Sequence, residues 1–128
     1  MIYEFPNFLS KGECTYIINK SKPSIKKSNV ICENGISCKD ENYRTSSNTF
    51  LPDNDIIINN ISNKVSKLLK INKSHFEDLQ VVHYKGGEQY KPHWDSCSDS
   101  DKCAEFQKKG GDRYATLIIY LNDDFTEG

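Results

Sequence analysis

The residues best able to do chemistry sit together in His83-Tyr84-Lys85-Gly86-Gly87-Glu88-Gln89-Tyr90-Lys91-Pro92-His93-Trp94-Asp95. Residues 88–95 read as an extended segment after a Gly86-Gly87 turn. In an extended chain His93 and Asp95, two apart, point to the same face. An imidazole beside a carboxylate supplies two neighbouring ligands of a 2-His-1-carboxylate iron site. Tyr90 is three residues before His93, so strict alternation puts it on the opposite face, unless a bulge near Pro92 intervenes. An H-x-D pair by itself also arises by accident, as a surface hydrogen bond, so the surrounding elements have to decide.

Those elements are legible from pattern. Ser10-Lys11-Gly12-Glu13 fits a capping box, with Ser10 as N-cap and Glu13 reaching back. Phe8 or Leu9 before it and Cys14, Ile17 and Ile18 after it predict a short amphipathic helix ending near Lys22-Pro23. Residues 25–42 are polar, and Asn34-Gly35 suggests a hairpin turn or a loop between short strands. Arg44 to Leu51 reads as extended and stops at Pro52. A second helix is expected over 53–69, with Ile57, Ile61, Val65, Leu68 and Leu69 on its core face and Asp53 and Asp55 at its positive end. From Phe76 onward the pattern is strand and turn: 79–85, then 88–95, a polar loop over 96–112, and 114–121. Helices first and strands later argue α+β.

Several longer segments resemble the prolyl 4-hydroxylase family of iron(II)/2-oxoglutarate dioxygenases. They are Tyr84 to Asp95 and Arg113-Tyr114-Ala115-Thr116-Leu117-Ile118-Ile119-Tyr120-Leu121-Asn122. Phe5-Pro6-Asn7-Phe8-Leu9-Ser10 with Glu13-Cys14, and Arg44-Thr45-Ser46-Ser47-Asn48-Thr49-Phe50-Leu51, resemble the family's opening helix and the segment flanking its active site. The order is collinear over most of the chain. The resemblance implies His93 and Asp95 as iron ligands and Tyr84, Tyr120 and Thr116 as 2-oxoglutarate contacts. It implies Tyr90 and Arg113 as residues facing a peptidyl substrate. The implied activity is hydroxylation of peptidyl proline at C4 with iron(II), 2-oxoglutarate and O2, supported by ascorbate. The partner is then a proline-containing peptide or protein. A peptidyl-lysine hydroxylase and a degenerate, non-catalytic binding module are the alternatives. His75 and His83 read as non-ligands, because the family's second histidine ligand lies far downstream of the first.

The implied fold is N-terminal helices packed on a double-stranded β-helix, or jelly roll, incomplete at its C-terminus. Residues 1–75 would be the helical and extended support, and 76–128 the first strands of a single dioxygenase domain. At about 8–12 residues per strand, 76–128 holds only four to six strands, short of eight. The distal histidine and the basic partner of 2-oxoglutarate are not among the 128 residues. The expectation is an N-terminal part that by itself binds iron weakly and turns over nothing.

Composition bounds the rest. With 128 residues, 36% hydrophobic, the chain is one domain with a lean core. Seventeen Lys+Arg against 18 Asp+Glu give a net charge of -1, so no overall positive field favours nucleic acid. The longest wholly aliphatic run, Ile56-Ile57-Ile58, is far short of a membrane span of about 18 residues. No secretory signal is visible at Met1, which leaves the cytoplasm as default. The five cysteines form no C-x-x-C knuckle, and the two closest pairs each have five residues between them. Cys97 and Cys103 could close a small disulfide in an oxidising compartment and would be free thiols in a reducing one. Asn-Lys-Ser and Asn-Ile-Ser sequons are what an Asn- and Ser-rich chain yields by chance.

Overall fold

The computed structural model describes residues 1–32, 37–96 and 111–126. The element order is α1 (Lys11–Ser21), β1 (Lys26–Lys27), β2 (Val30–Ile31), β3 (Ser37–Cys38), β4 (Ser47–Leu51), α2 (Ile56–Leu69) and β5 (Leu79–His83). Single 3-10 turns occupy Lys22–Ser24 and Lys73–His75. β1, β4 and β5 form an antiparallel sheet with β4 central, and β2 pairs only with β3. The class is mixed α+β.

α1 starts as its capping box dictates. Glu13 N donates to Ser10 Oγ at 3.1 Å, and Ser10 N donates to Glu13 Oε2 at 2.8 Å, so two otherwise orphaned amides are satisfied. Pro23, which lacks an amide proton, follows the last turn. α2 begins at Ile56, later than the sequence pattern suggests, because Asp55 is its N-cap. Asp55 Oδ1 accepts from Ile57 N at 2.8 Å and Ile58 N at 3.2 Å. Its Oδ2 accepts from the Tyr16 hydroxyl and, at 3.0 Å, from Lys20 Nζ, which ties α1 to the start of α2. The Tyr16 hydrogen bond, then that of Lys20, holds the Asp55 carboxyl far below the usual range. Asp53 lies outside the helix and pairs with Lys73 at 3.6 Å.

The core consists of Ile17, Leu51, Ile58, Ile61 and Val81, with Leu9, Ile57, Val65, Leu79, Ile119 and Leu121 packed on it. Ile58 is therefore on the buried face of α2, and Leu68 is not; it is exposed. The β4–β5 register opposes Thr49 to Val81 and Leu51 to Leu79, which puts the core-forming residues on one face. Phe50 and Val82 alternate to the other face and are exposed.

Two expectations need correction. Over 88–95 the described chain makes one isolated bridge, Arg44 to Tyr90, rather than a strand. Thr45 N donates to the Gln89 carbonyl at 2.8 Å and Lys91 N to the Tyr43 carbonyl at 3.0 Å. Pairing goes no further, because Tyr43 N donates to the Asp40 carbonyl at 3.1 Å instead of across to Lys91. Over 114–121 no strand forms among the described residues, though the period-two pattern persists: Leu117, Ile119 and Leu121 are half-buried, and Tyr114, Thr116, Ile118 and Tyr120 are exposed. The cysteine spacing leaves the pairing open. Cys32 and Cys38 are disulfide-bonded across the β2–β3 pair, whereas Cys97 and Cys103 lie outside the described residues, as do Asn34 and Gly35. No described helix is long and apolar enough to cross a membrane.

Candidate active site

β5 delivers the chain to the site and a tight turn reverses it. Glu88 N donates to the Lys85 carbonyl at 2.9 Å, with Gly87 at φ 80°, a backbone conformation that glycine adopts freely. Lys85 N donates to Glu88 Oε2 at 2.9 Å, and this bond lowers the Glu88 carboxyl from its ordinary value. The returning segment is then pinned to residues 43–45 by the two backbone bonds already described.

His93 and Asp95 come together as the H-x-D spacing requires: Nε2 lies 3.3 Å from Asp95 Oδ1. The other ring nitrogen, Nδ1, is 2.8 Å from the Lys91 carbonyl. A carbonyl can only accept, so Nδ1 carries the proton there. In the neutral ring Nε2 is then left with its lone pair. Both side chains are partly exposed. Among the described residues no third His, Cys, Asp or Glu completes a metal-binding group.

Tyr90 does not sit on the far side of the strand. Its ring stacks on that of His93, centroids 3.7 Å apart at 19°. Residues three apart can touch in this way only because the backbone leaves regular alternation around Pro92. Tyr43 meets Tyr90 edge-on at 5.7 Å and donates its hydroxyl proton to the Pro92 carbonyl at 3.1 Å. Arg44 places its guanidinium carbon 4.4 Å from the Tyr90 centroid. Burial, the largest influence, pushes the Tyr90 phenol up despite the opposing Arg44 charge. It is a neutral phenol in the ordinary pH range.

Arg113 reaches the same place from the opposite end of the chain. Its Nη1 donates to the Asp95 carbonyl at 3.2 Å, and Nε and Nη2 grip Glu77 at 2.5 and 2.9 Å. The Glu77 hydrogen bonds raise the guanidinium further above its ordinary value. His93, Asp95, Tyr90 and Arg113 are thus brought together. Tyr84, Thr116 and Tyr120 are exposed and share no hydrogen bond or ring contact with that group among the described residues; Tyr120 instead stacks near Phe125 at 5.7 Å. His83 ends β5 opposite Ser47, and His75 closes the 3-10 turn.

Three participants escape a reading by local pattern: Tyr43, Arg44 and Glu77. Each acts through a partner 36 to 49 residues away in sequence, and only the position of Arg44 at the head of an extended segment hinted at it.

No family model matches the chain. Curated proteins do. "Probable prolyl 4-hydroxylase 3" of Arabidopsis thaliana is 42% identical over 123 residues, which is 94% of this chain and 41% of that protein. "Prolyl 4-hydroxylase 5" of the same plant is 40% identical over 121 residues, 93% of this chain and 40% of that protein. Over 93–94% of its length the chain is similar to prolyl 4-hydroxylases. It spans about two fifths of the length of the curated relatives it matches. The prolyl 4-hydroxylase likeness therefore extends over nearly all of this sequence, including every residue of the cluster.

Proposed function

We propose that the chain carries part of the catalytic apparatus of an iron(II)- and 2-oxoglutarate-dependent hydroxylase acting on peptidyl proline at C4. The observation that carries this is the His93–Asp95 pair, an imidazole Nε2 3.3 Å from a carboxylate oxygen, inside a sequence that matches prolyl 4-hydroxylases over nearly all its length. A neutral imidazole nitrogen beside a carboxylate is the donor chemistry that ferrous iron takes, so the residues present fit two of the ligands. Iron bound there, with 2-oxoglutarate and dioxygen, would supply the oxidising power to insert one oxygen atom into a C–H bond.

The chain's own residues do the positioning. The Lys91 carbonyl fixes the His93 tautomer, as partners of metal-bound imidazoles do. Arg113 anchors the backbone of Asp95 while Glu77 immobilises the guanidinium. Tyr90 covers one face of the imidazole and limits the approach of water. Tyr84, Thr116 and Tyr120 are proposed to hold 2-oxoglutarate; Thr116 and Tyr120 share the outward-facing parity of the 114–121 segment. The architecture that would complete their pocket is the jelly roll, of which β5 and the segments after it would be the first strands.

The test is hydroxylation by the protein as its natural host makes it. Incubation with iron(II), labelled 2-oxoglutarate and a proline-rich peptide is expected to give succinate and one oxygen added at proline. Oxygen added at lysine instead would transfer the assignment to a lysyl hydroxylase. Neither product, with iron bound, would leave a binding module.

A further inference from the structure

We propose that Cys32 and Cys38 form a reversible thiol–disulfide site whose oxidation state governs how firmly Tyr90 is held against His93. The two cysteines are bonded to each other, with Cα atoms 6.0 Å apart, and both are only half-buried, within reach of a solution reductant. The hairpin they clip is otherwise slight. β2 and β3 oppose just Val30 to Cys38 and Ile31 to Ser37, and a two-stranded hairpin is marginal in water by itself.

Both arms of that hairpin run directly into the cluster. On the incoming arm, Asn29 donates from Nδ2 to Ser37 Oγ at 3.0 Å, and its carbonyl accepts from Arg44 Nη1 at 3.1 Å. Arg44 is buried, with its Nε on Ser46 Oγ at 3.0 Å and its guanidinium over Tyr90. On the outgoing arm the Asp40 carbonyl accepts from Tyr43 N and Arg44 N, which aims Tyr43 at Pro92 and at the edge of Tyr90. The crosslink thus restrains the Asn29 carbonyl and the Asp40 turn, and these two fix the groups that press Tyr90 onto His93. An external dithiol would break the Sγ–Sγ bond: the disulfide takes up two electrons and two protons, and the dithiol becomes its own disulfide. Cys14, in α1, is a free thiol and plays no part. The packing change stands independently; only its effect on iron rests on the function proposed above.

The experiment is native-state hydrogen exchange on the metal-free chain, before and after dithiothreitol. The reporters are the amides of Thr45 and Lys91, which bridge residues 43–45 to 89–91. Reduction is expected to speed their exchange about tenfold or more by opening this part locally, reversibly on reoxidation, with the β4–β5 ladder still protected. The double variant Cys32→Ser/Cys38→Ser should show the faster rates without reductant and no response to it. Unchanged Thr45 and Lys91 exchange, with both thiols shown free by alkylation and mass, would overturn the proposal. So would finding both cysteines alkylated before any reduction. Iron(II) binding on the same samples separates the two ideas: altered exchange with no iron bound in either state supports the redox site and counts against the metal reading alone.

Discussion

Arg44 and Tyr90 offer the sharpest energetic test of the site, in a double-mutant cycle with Arg44→Met and Tyr90→Leu. Methionine keeps most of the arginine stem and leucine keeps an apolar body, so the cycle isolates the guanidinium–ring term. The guanidinium carbon is 4.4 Å from the ring centroid and Arg44 is 8% exposed. A cation over a ring gains about 0.5–1 kcal/mol when solvated and about 2 when desolvated, so the coupling should fall at about 1–2 kcal/mol. Arg44→Met alone should cost more, about 3–4 kcal/mol. It also removes a charged hydrogen bond to the Asn29 carbonyl, such bonds being worth about 1.5–3 kcal/mol. Against a typical stability of about 5–15 kcal/mol the effect is large but measurable. Urea unfolding of the four proteins gives the coupling, and the His93 ring proton shifts report whether Tyr90 still stacks. Coupling below about 0.3 kcal/mol, the usual limit of additivity for independent sites, would refute the reasoning.

Other parts of the account make separate predictions. Ile58→Ala removes about three buried carbons at about 0.8 kcal/mol each and leaves a cavity, so the loss should be about 3–4 kcal/mol by denaturant unfolding; Ile58 is 1% exposed. Leu68→Ala, on the exposed edge of α2, should cost far less. The Glu13 carboxyl is lowered chiefly by the Ser10 amide, and Asp55 by Tyr16. Both groups therefore stabilise the fold above their ordinary pKa values of 4.5 and 3.8 and lose that contribution as pH falls through their depressed folded values. Thermal melts from neutral pH into acid should show this decline, flattened in Glu13→Gln and Asp55→Asn. Lys70 caps α2 at φ 56°, so Lys70→Gly should stabilise by about 0.5–1 kcal/mol by relieving a left-handed side-chain clash, readable as a raised Tm.

What could be read from sequence was local. The capping box at Ser10 and Glu13 needs only residues three apart, and it forms as the pattern dictates. α2 shows where periodicity falls short: several isoleucines in one turn let Ile58 or Leu68 complete the stripe, and the Asp55 cap, with the sheet behind it, chose Ile58. The H-x-D pair survived because two residues in an extended chain share a face whatever their pairing. Tyr90 did not follow its parity, since the ladder ends with the Lys91–Tyr43 bond, just before His93, where alternation had to continue. Cysteine spacing was equally mute. Five residues separate Cys32 from Cys38, a spacing that does not by itself call for a bond, and the register of Val30 against Cys38 is what brings the two together. Arg44 and Glu77 find their partners through tertiary contact, which no short window contains.

The central claim is that His93 and Asp95 together form a ferrous binding site, and anaerobic calorimetry with iron(II) tests it most directly. The wild-type chain should bind one iron, and His93→Ala and Asp95→Ala should each weaken binding about tenfold or more, as loss of a ligand does. His75→Ala, distant in role, should leave it unchanged. Equal iron binding by all four proteins would contradict the claim.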